Sequence, residues 1–443
     1  MKDTWTGMTA AALGRGIANG TIDPVELTEA FLDATQTHQF GDRIYARLTP
    51  DRARAEAKAA AARARAGHRL SALDGVPISW KDLYDTAGTA TEAGSHLLAG
   101  RTPTQDARVL QNATAAGAIC LGKTHMTELA FSGLGLNPKT ASPPNINDPS
   151  AASGGSSSGA AASVAHGLAP IGIGSDTAGS VRLPAAWNNL VGLKTTAGRL
   201  SLDGVVPLCP RFDTVGPLTR TVEDAALMLA VLEGGKPADL TGATLTGVRL
   251  GVLNTVAVAQ AEDKPRAGFT RALDKLTAAG AAITLLDIPA VTEAMDLALI
   301  LFGAEAYGTW KDQIEANPSA MFDNVLQRFR GGAPFAAADY VAAWQQLERL
   351  RADYHAATAS FDAIVLPTCP ILPPNQQKLM HDPEYFGERN LSTLRNTRIG
   401  SLMGVPGLTL PTGTPSVGIL FQGPPSSEER LLRLGAAAEA ALA

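Results

Sequence analysis

The sequence has little of what usually announces a function. Only three cysteines, Cys120, Cys209 and Cys369, occur in 443 residues. They are far apart, odd in number and include no CxxC pair, which excludes a disulfide framework or a thiolate zinc site and suits a reducing compartment. Seven histidines are scattered with no metal-ligand spacing such as HxxxH, so each reads as a surface or packing residue. Basic residues are outnumbered: the formal charge is −5, leaving no surplus to neutralise phosphates, so neither a nucleic-acid nor an anionic-membrane partner is expected. No apolar run approaches the ~20 residues of a membrane span. The opening MKDTWTGMTAAAL also lacks the basic start and apolar stretch of a signal peptide. These absences predict a soluble, cytoplasmic protein.

What is present is a globular composition, 45% hydrophobic and rich in glycine (44 residues). The first 70 or so residues read as helices. Asp23-Pro24 offers a cap and first turn for DPVELTEAFLDATQTH, and Arg52 to Gly67 is an alanine-rich helix former with a solvated charged face, ending at glycine. Beyond it, short apolar runs (GVPIS, AICLG, APIGIG, VRLGVL, AITLLD, AIVLP) alternate with helical stretches. That alternation predicts an α/β fold with a buried sheet. Residues 290–400 are the most irregular and read as a variable cover within the same domain. No internal repeat and no firm boundary interrupts residues 1–443.

Three formal motifs compete for the chemistry. GAICLGKT, Gly117 to Thr124, satisfies the P-loop pattern letter for letter. However, the preceding DARVLQNATAAG is helical in character and Ala118, Ile119, Cys120 and Leu121 read as a buried strand, which reverses the required order of elements. Gly155 to Gly159 satisfies G-x-S-x-G with Ser157 at the centre. A nucleophile elbow needs a strand directly before it and a histidine later; here the lead-in PNINDPSAAS is loop-like and His166 follows too soon.

The third pattern uses lysine. GVPISWKD places Lys81 just after a short apolar strand. The small-residue stretch SGGSSSGAAA contains Ser156, and APIGIG then delivers the chain into SDTAGS, whose last serine, Ser180, lies 24 residues after Ser156. A serine hydroxyl is a weak nucleophile that needs a base beside it. Lysine serves only when neutral, a state favoured by burial. A second serine can relay the proton between them, and the N–H groups of the small residues Thr177, Ala178, Gly179 and Ser180 can converge on an oxyanion.

At these residues the sequence resembles the amidase signature family. The resemblance rests on GVPISWKD, GKTHMTELA, GGSSSG, DTAGSVRLPAA, GLKTT, RFDTVGPLTRTVEDAALML and GVPGLTLPTG. It runs over nearly the whole chain, strongest from 74 to 230 and weak from 290 to 400. It implies a single α/β/α sandwich domain with a large, mostly parallel mixed sheet, and hydrolysis of a carboxamide through an acyl-enzyme without a cofactor. Carried over residue by residue, Ser180 is the nucleophile, Lys81 the base and Ser156 the bridging serine, held by a cis peptide bond to Gly155. Thr177, Ala178 and Gly179 form the oxyanion hole, while Ser157, Asp176 and Arg182 support the loop; a homodimer is a family-level expectation.

Three positions depart from the family pattern: Ser158 and Ala178 where glycine is usual, and Thr195 where the pattern leads to proline. The first two occur together in allophanate-hydrolase-like members, which favours an amidase for a small amide or acyl-urea. The glutaminase subunit of a tRNA-dependent amidotransferase stands as the alternative, and a non-catalytic nucleotide-binding protein as the remote one. Met126, Phe131, Phe302, Tyr307 and Trp310 are candidates for the pocket wall, with Arg328 or Arg330 as candidates for a substrate carboxylate.

Overall fold

The computed structural model describes residues 5–254 and 256–443. Residues 1–4, the start of the stretch in which a leader would begin, lie outside them. Eleven strands form one sheet: β1 (Tyr45–Leu48), β2 (Pro77–Lys81), β3 (Ile119–Thr124), β4 (Ile171–Asp176), β5 (Val191–Lys194), β6 (Thr214–Thr219), β7 (Arg249–Leu253), β8 (Ala282–Leu286), β9 (Ala363–Pro367), β10 (Gly407–Pro411) and β11 (Gly418–Gln422). Their order is β1-β3-β2-β4-β6-β5-β10-β11-β9-β7-β8. The protein is thus an α/β sandwich built on a large mixed sheet, as expected, with one refinement. Parallel pairing is confined to two triplets, β3-β2-β4 and β9-β7-β8, and every other pairing is antiparallel. The triplets are joined through helical crossovers such as Arg108–Ala115 and Asp263–Ala278. In the middle, β10 and β11 are joined by a short return that makes them antiparallel, whereas β5 and β6 are linked by the long segment 195–213 and the other antiparallel pairs join strands distant in sequence.

Helices cover both faces. Gly407 faces the helix Arg182–Trp187, since a Cβ there would meet Arg182 Cδ at 3.0 Å. The next residue, Leu408, points the other way into helix Glu428–Leu442, where a Cβ on Gly435 would meet it at 2.2 Å. Alternation along a strand therefore fixes the two helices on opposite sides. β2, β3, β4 and β6 are buried at every position, as strands covered on both faces are. The N-terminal helix begins as its sequence predicts, with Asp23 accepting hydrogen bonds from Val25 N (2.8 Å) and Glu26 N (3.4 Å) ahead of Pro24. Helix Pro50–Ala66 buries Ala53, Ala57, Ala60 and Ala61 and stops at left-handed Gly67. Strand β1 interrupts the stretch expected to be helical.

GAICLGKT is a buried strand following the helix Arg108–Ala115. Lys123 is fully buried and donates to Asp82 Oδ1 (3.1 Å) and Thr91 Oγ1 (2.9 Å), so it is not offered to a phosphate. The stretch SGGSSSGAAA enters the helix Ser158–Ala165, which lies against β4. Its close fit comes from IGIG: Ile171 and Ile173 turn into the main core, while Gly174 faces Ser157, whose Oγ would stand 2.6 Å from a Cβ there.

Candidate active site

Strand β2 ends at Lys81 and its parallel neighbour β4 ends at Asp176, with Ile78 opposite Ile171 and Trp80 opposite Ile173. The loops leaving the two strands therefore emerge side by side. Lys81 is fully buried, and its Nζ lies 2.6 Å from Ser156 Oγ and 2.8 Å from Ser175 Oγ. Burial brings the Lys81 ammonium down to about 7, although the carboxylates of Asp213 and Asp176 pull the other way. Desolvation outweighs them because no ion pair with Nζ forms among the described residues. At neutral pH a large share of Lys81 is thus an uncharged amine.

The Gly155–Ser156 peptide is cis. Ser157, the centre of G-x-S-x-G, is fully buried; its Oγ donates to Ser175 O (3.1 Å) and accepts from Ser175 N (3.3 Å). No strand precedes it, and His166 sits at the far end of the following helix, packed edge-on to His38. Ser157 N donates to Ser180 O at 3.3 Å, which joins the two small-residue loops. Among the described residues no hydrogen bond links Ser180 Oγ to Ser156 Oγ; such contacts are often long before substrate arrives.

Asp176 and Arg182 build the frame of the Ser180 loop. Burial raises the Asp176 carboxyl, but the Arg182 guanidinium more than offsets this and holds it at about 2. Arg182 Nε and Nη2 donate to its two oxygens at 2.9 Å each, and Arg182 Nη1 and Nη2 continue to Thr397 O (2.7 Å) and Ser401 Oγ (3.0 Å). Asp176 also accepts from Gly179 N (2.7 Å) and Val181 N (3.1 Å). This changes the expected oxyanion set: the Gly179 N–H is committed to Asp176 Oδ1. The N–H groups of Thr177, Ala178 and Ser180 make no hydrogen bond among the described residues. Gly179 has another task. Its φ is +143°, and a Cβ there would stand 2.1 Å from Thr397 Oγ1, so only glycine fits.

Two residues that sequence reasoning did not single out complete the site. Ser175 is the second neighbour of Lys81 Nζ. Asp213 accepts from Thr177 Oγ1 (2.5 Å), Leu208 N (2.9 Å) and Cys209 N (3.1 Å), and burial raises its carboxyl. Both were visible only as letters of longer motifs, SDTAGS and RFDTVGP, because the sheet brings them to Lys81 across about a hundred residues.

Ser180, Thr177 and Ala178 open into a cavity of about 260 Å³. Its walls are mostly apolar and come mainly from later in the chain, with Ala130, Phe131 and Ser132 contributed from before the serine loops. Phe131, Phe302 and Arg328 line it as anticipated, whereas Met126, Tyr307 and Trp310 do not. Arg330 is paired with Glu315 (2.7 Å) away from the cavity. Lys81 and Ser156 lie behind the cavity wall. Among the described residues no helix is long and apolar enough to cross a membrane.

A buried lysine thus lies next to two serines, close to a loop whose Thr177, Ala178 and Ser180 N–H groups make no hydrogen bond among the described residues, on an α/β sandwich. The chain belongs to the amidase family: the family model described as Amidase matches residues 26–432. It is an amidase signature enzyme, a hydrolase acting on carbon–nitrogen bonds. Its relatives include one of the subunits of the glutamyl-tRNA(Gln) amidotransferase of Chloroflexus aurantiacus, 33% identical over 97% of this chain and 95% of that protein. The 2-amino-5-chloromuconic acid deaminase of Comamonas testosteroni is 34% identical over 98% of this chain and 97% of its own. A crystal structure of an amidase superposes with a TM-score of 0.89 at 31% identity, covering 98% of this chain and all of the other.

Proposed function

We propose that this enzyme hydrolyses a small amide or acyl-urea through an ester on Ser180. Ser180 Oγ attacks the carbonyl carbon, its proton passes to Ser156 Oγ, and the Ser156 proton passes to the neutral amine of Lys81. The neutral amine accepts from Ser156 and donates to Ser175, which keeps its lone pair aimed at the relay. The oxyanion is held by the N–H groups of Thr177, Ala178 and Ser180; one such donor typically contributes about 3 kcal/mol to the transition state. Lys81 returns its proton through Ser156 to the leaving nitrogen, which departs as ammonia or an amine, and water hydrolyses the ester by the same route. The observation that carries this reading is the 2.6 Å contact of a fully buried Lys81 Nζ, at about 7, with Ser156 Oγ. The cavity's size, at the low end for ligand pockets, supports a small substrate.

Mass spectrometry of the protein treated with a neutral fluorophosphonate tests it: the adduct is expected on Ser180 and absent in Lys81→Met. An adduct on Ser157, with Lys81 dispensable, refutes the relay. A second reading, the glutaminase component of an amidotransferase, is supported by the Chloroflexus relative. It requires ammonia release from glutamine that rises when partner chains are added, whereas the free-standing amidase needs no partner.

A further inference from the structure

The cavity beyond Ser180 holds two arginines that make no ion pair among the described residues. Arg328 comes from helix Asp323–Arg330 and Arg398 from helix Pro383–Leu402, and both line the same space as Ser180. Arg328 spends only Nε, on Phe131 O at 2.8 Å, and its guanidinium lies 4.6 Å from the centre of the Phe131 ring. That leaves both Nη groups without a hydrogen bond among the described residues. The Arg398 guanidinium makes no hydrogen bond or ion pair at all among them. Other arginines of the same helices are occupied: Arg330 by Glu315, Arg389 by Glu262 at 3.0 Å, and Arg395 by Gln260 O at 3.5 Å. The cavity's one carboxylate among its lining residues, Asp296, is exposed and pairs with neither.

Both arginines are half-buried. Burial lowers each, Arg328 further by the nearby Arg398 charge, to about 10, so both remain cationic at neutral pH. Placing two like charges together in a partly dry, apolar cavity is unfavourable unless an anion joins them. A planar guanidinium with free N–H edges matches the two oxygens of a carboxylate, and the Phe131 stack holds one fork in a fixed plane.

We propose that Arg328 and Arg398 form the recognition site for a carboxylate on the substrate, so that the enzyme selects small amides carrying an acid group. This rests on the reading of Ser180 as the reacting group only in placing the amide; the anion site is tested separately from the chemistry. Binding is measured by calorimetry in the Ser180→Ala background, so that no turnover intervenes. The probes are linear ω-carboxy amides with two to four methylene groups, compared with n-alkyl amides of equal length. Charge-assisted pairing is expected to make at least one carboxy amide bind tenfold or more tightly than its neutral counterpart, roughly the effect of one hydrogen bond to a charged group. Arg398→Gln, which breaks no hydrogen bond or ion pair among the described residues, is expected to bring the ratio within about threefold, and Arg398→Lys to restore part of it. Equal binding of the two series, binding of neither, or a ratio unchanged in Arg398→Gln overturns the proposal. Failure of the fluorophosphonate to label Ser180 in the unmutated enzyme instead removes the proposed nucleophile and leaves the binding result standing.

Discussion

Replacing Lys81 with methionine should stabilise the protein while ending its activity. The folded-state pKa of about 7 against an ordinary value of 10.5 means that folding strips a proton from Lys81 over that interval. At about 1.4 kcal/mol per unit, the burial costs about 5 kcal/mol at pH 7. The cost is complete below pH 7 and falls as pH rises, vanishing near the unfolded value, because in that window only the unfolded chain holds the proton. Methionine fills a similar volume and needs no proton, but it leaves Ser156 Oγ and Ser175 Oγ without the amine. Those two contacts are worth about 1 kcal/mol each, so the net gain is about 3 kcal/mol. Unfolding entropy of about 2.1 cal/mol/K per residue gives about 0.9 kcal/mol/K for 443 residues. Lys81→Met should therefore raise Tm by about 3 °C at pH 7, with the advantage gone by about pH 9. The measurement is Tm by scanning calorimetry for both proteins at matched scan rates from pH 6 to 9. The difference between them isolates Lys81 from Lys194, a second buried lysine also brought down to about 7 by burial. A variant less stable at pH 7, or a difference that does not change with pH, would show that Lys81 is charged when folded and would sink the reasoning.

The same titration should appear in catalysis. The rate of fluorophosphonate labelling should rise with pH through about 7 and level off above it, since only neutral Lys81 accepts a proton. Asp213→Asn removes a carboxylate that favours the charged lysine, so this limb should move lower by about one unit; a shift to higher pH contradicts the assignment. Arg182→Met should lower stability by about 3–5 kcal/mol, hence Tm by about 3–5 °C, because it leaves Asp176 buried without its partner. Unchanged stability there would mean that the pair contributes nothing net.

Much of the site could be read before the fold was known, for a specific reason. Lys81 and Ser180 sit at or just after strand ends and Ser156 in a run of small residues that opens a helix, changes of texture that local sequence records directly. GAICLGKT could be rejected as a phosphate loop because its apolar interior requires burial, and Lys123 is indeed buried against Asp82. What escaped was non-local. The four residues of β1 form a strand only because β3 offers an edge; nothing in YARL demands it. The direction of the central strands is set by which distant strands meet across the sheet rather than by strand composition. The Gly179 N–H looks available in sequence, and only the folded loop turns the Asp176 carboxylate onto it. Arg398 reads as one more charge on a helix until Arg328, seventy positions earlier, is found facing the same cavity.

The way the cavity is assembled has a consequence for how such an enzyme can change. Lys81, Ser175 and Ser180 hang from two adjacent strands whose hydrogen-bonded register sets their spacing, and Ser156 joins them from the loop that enters helix Ser158–Ala165. Much of the wall facing Ser180 is carried by helices between residues 295 and 398, elsewhere in the chain. One stretch of polypeptide reacts and another chooses what reaches it. Substitutions in the choosing stretch can accumulate without disturbing the reacting one, so selectivity is free to drift in a lineage while the bond-breaking apparatus stays fixed.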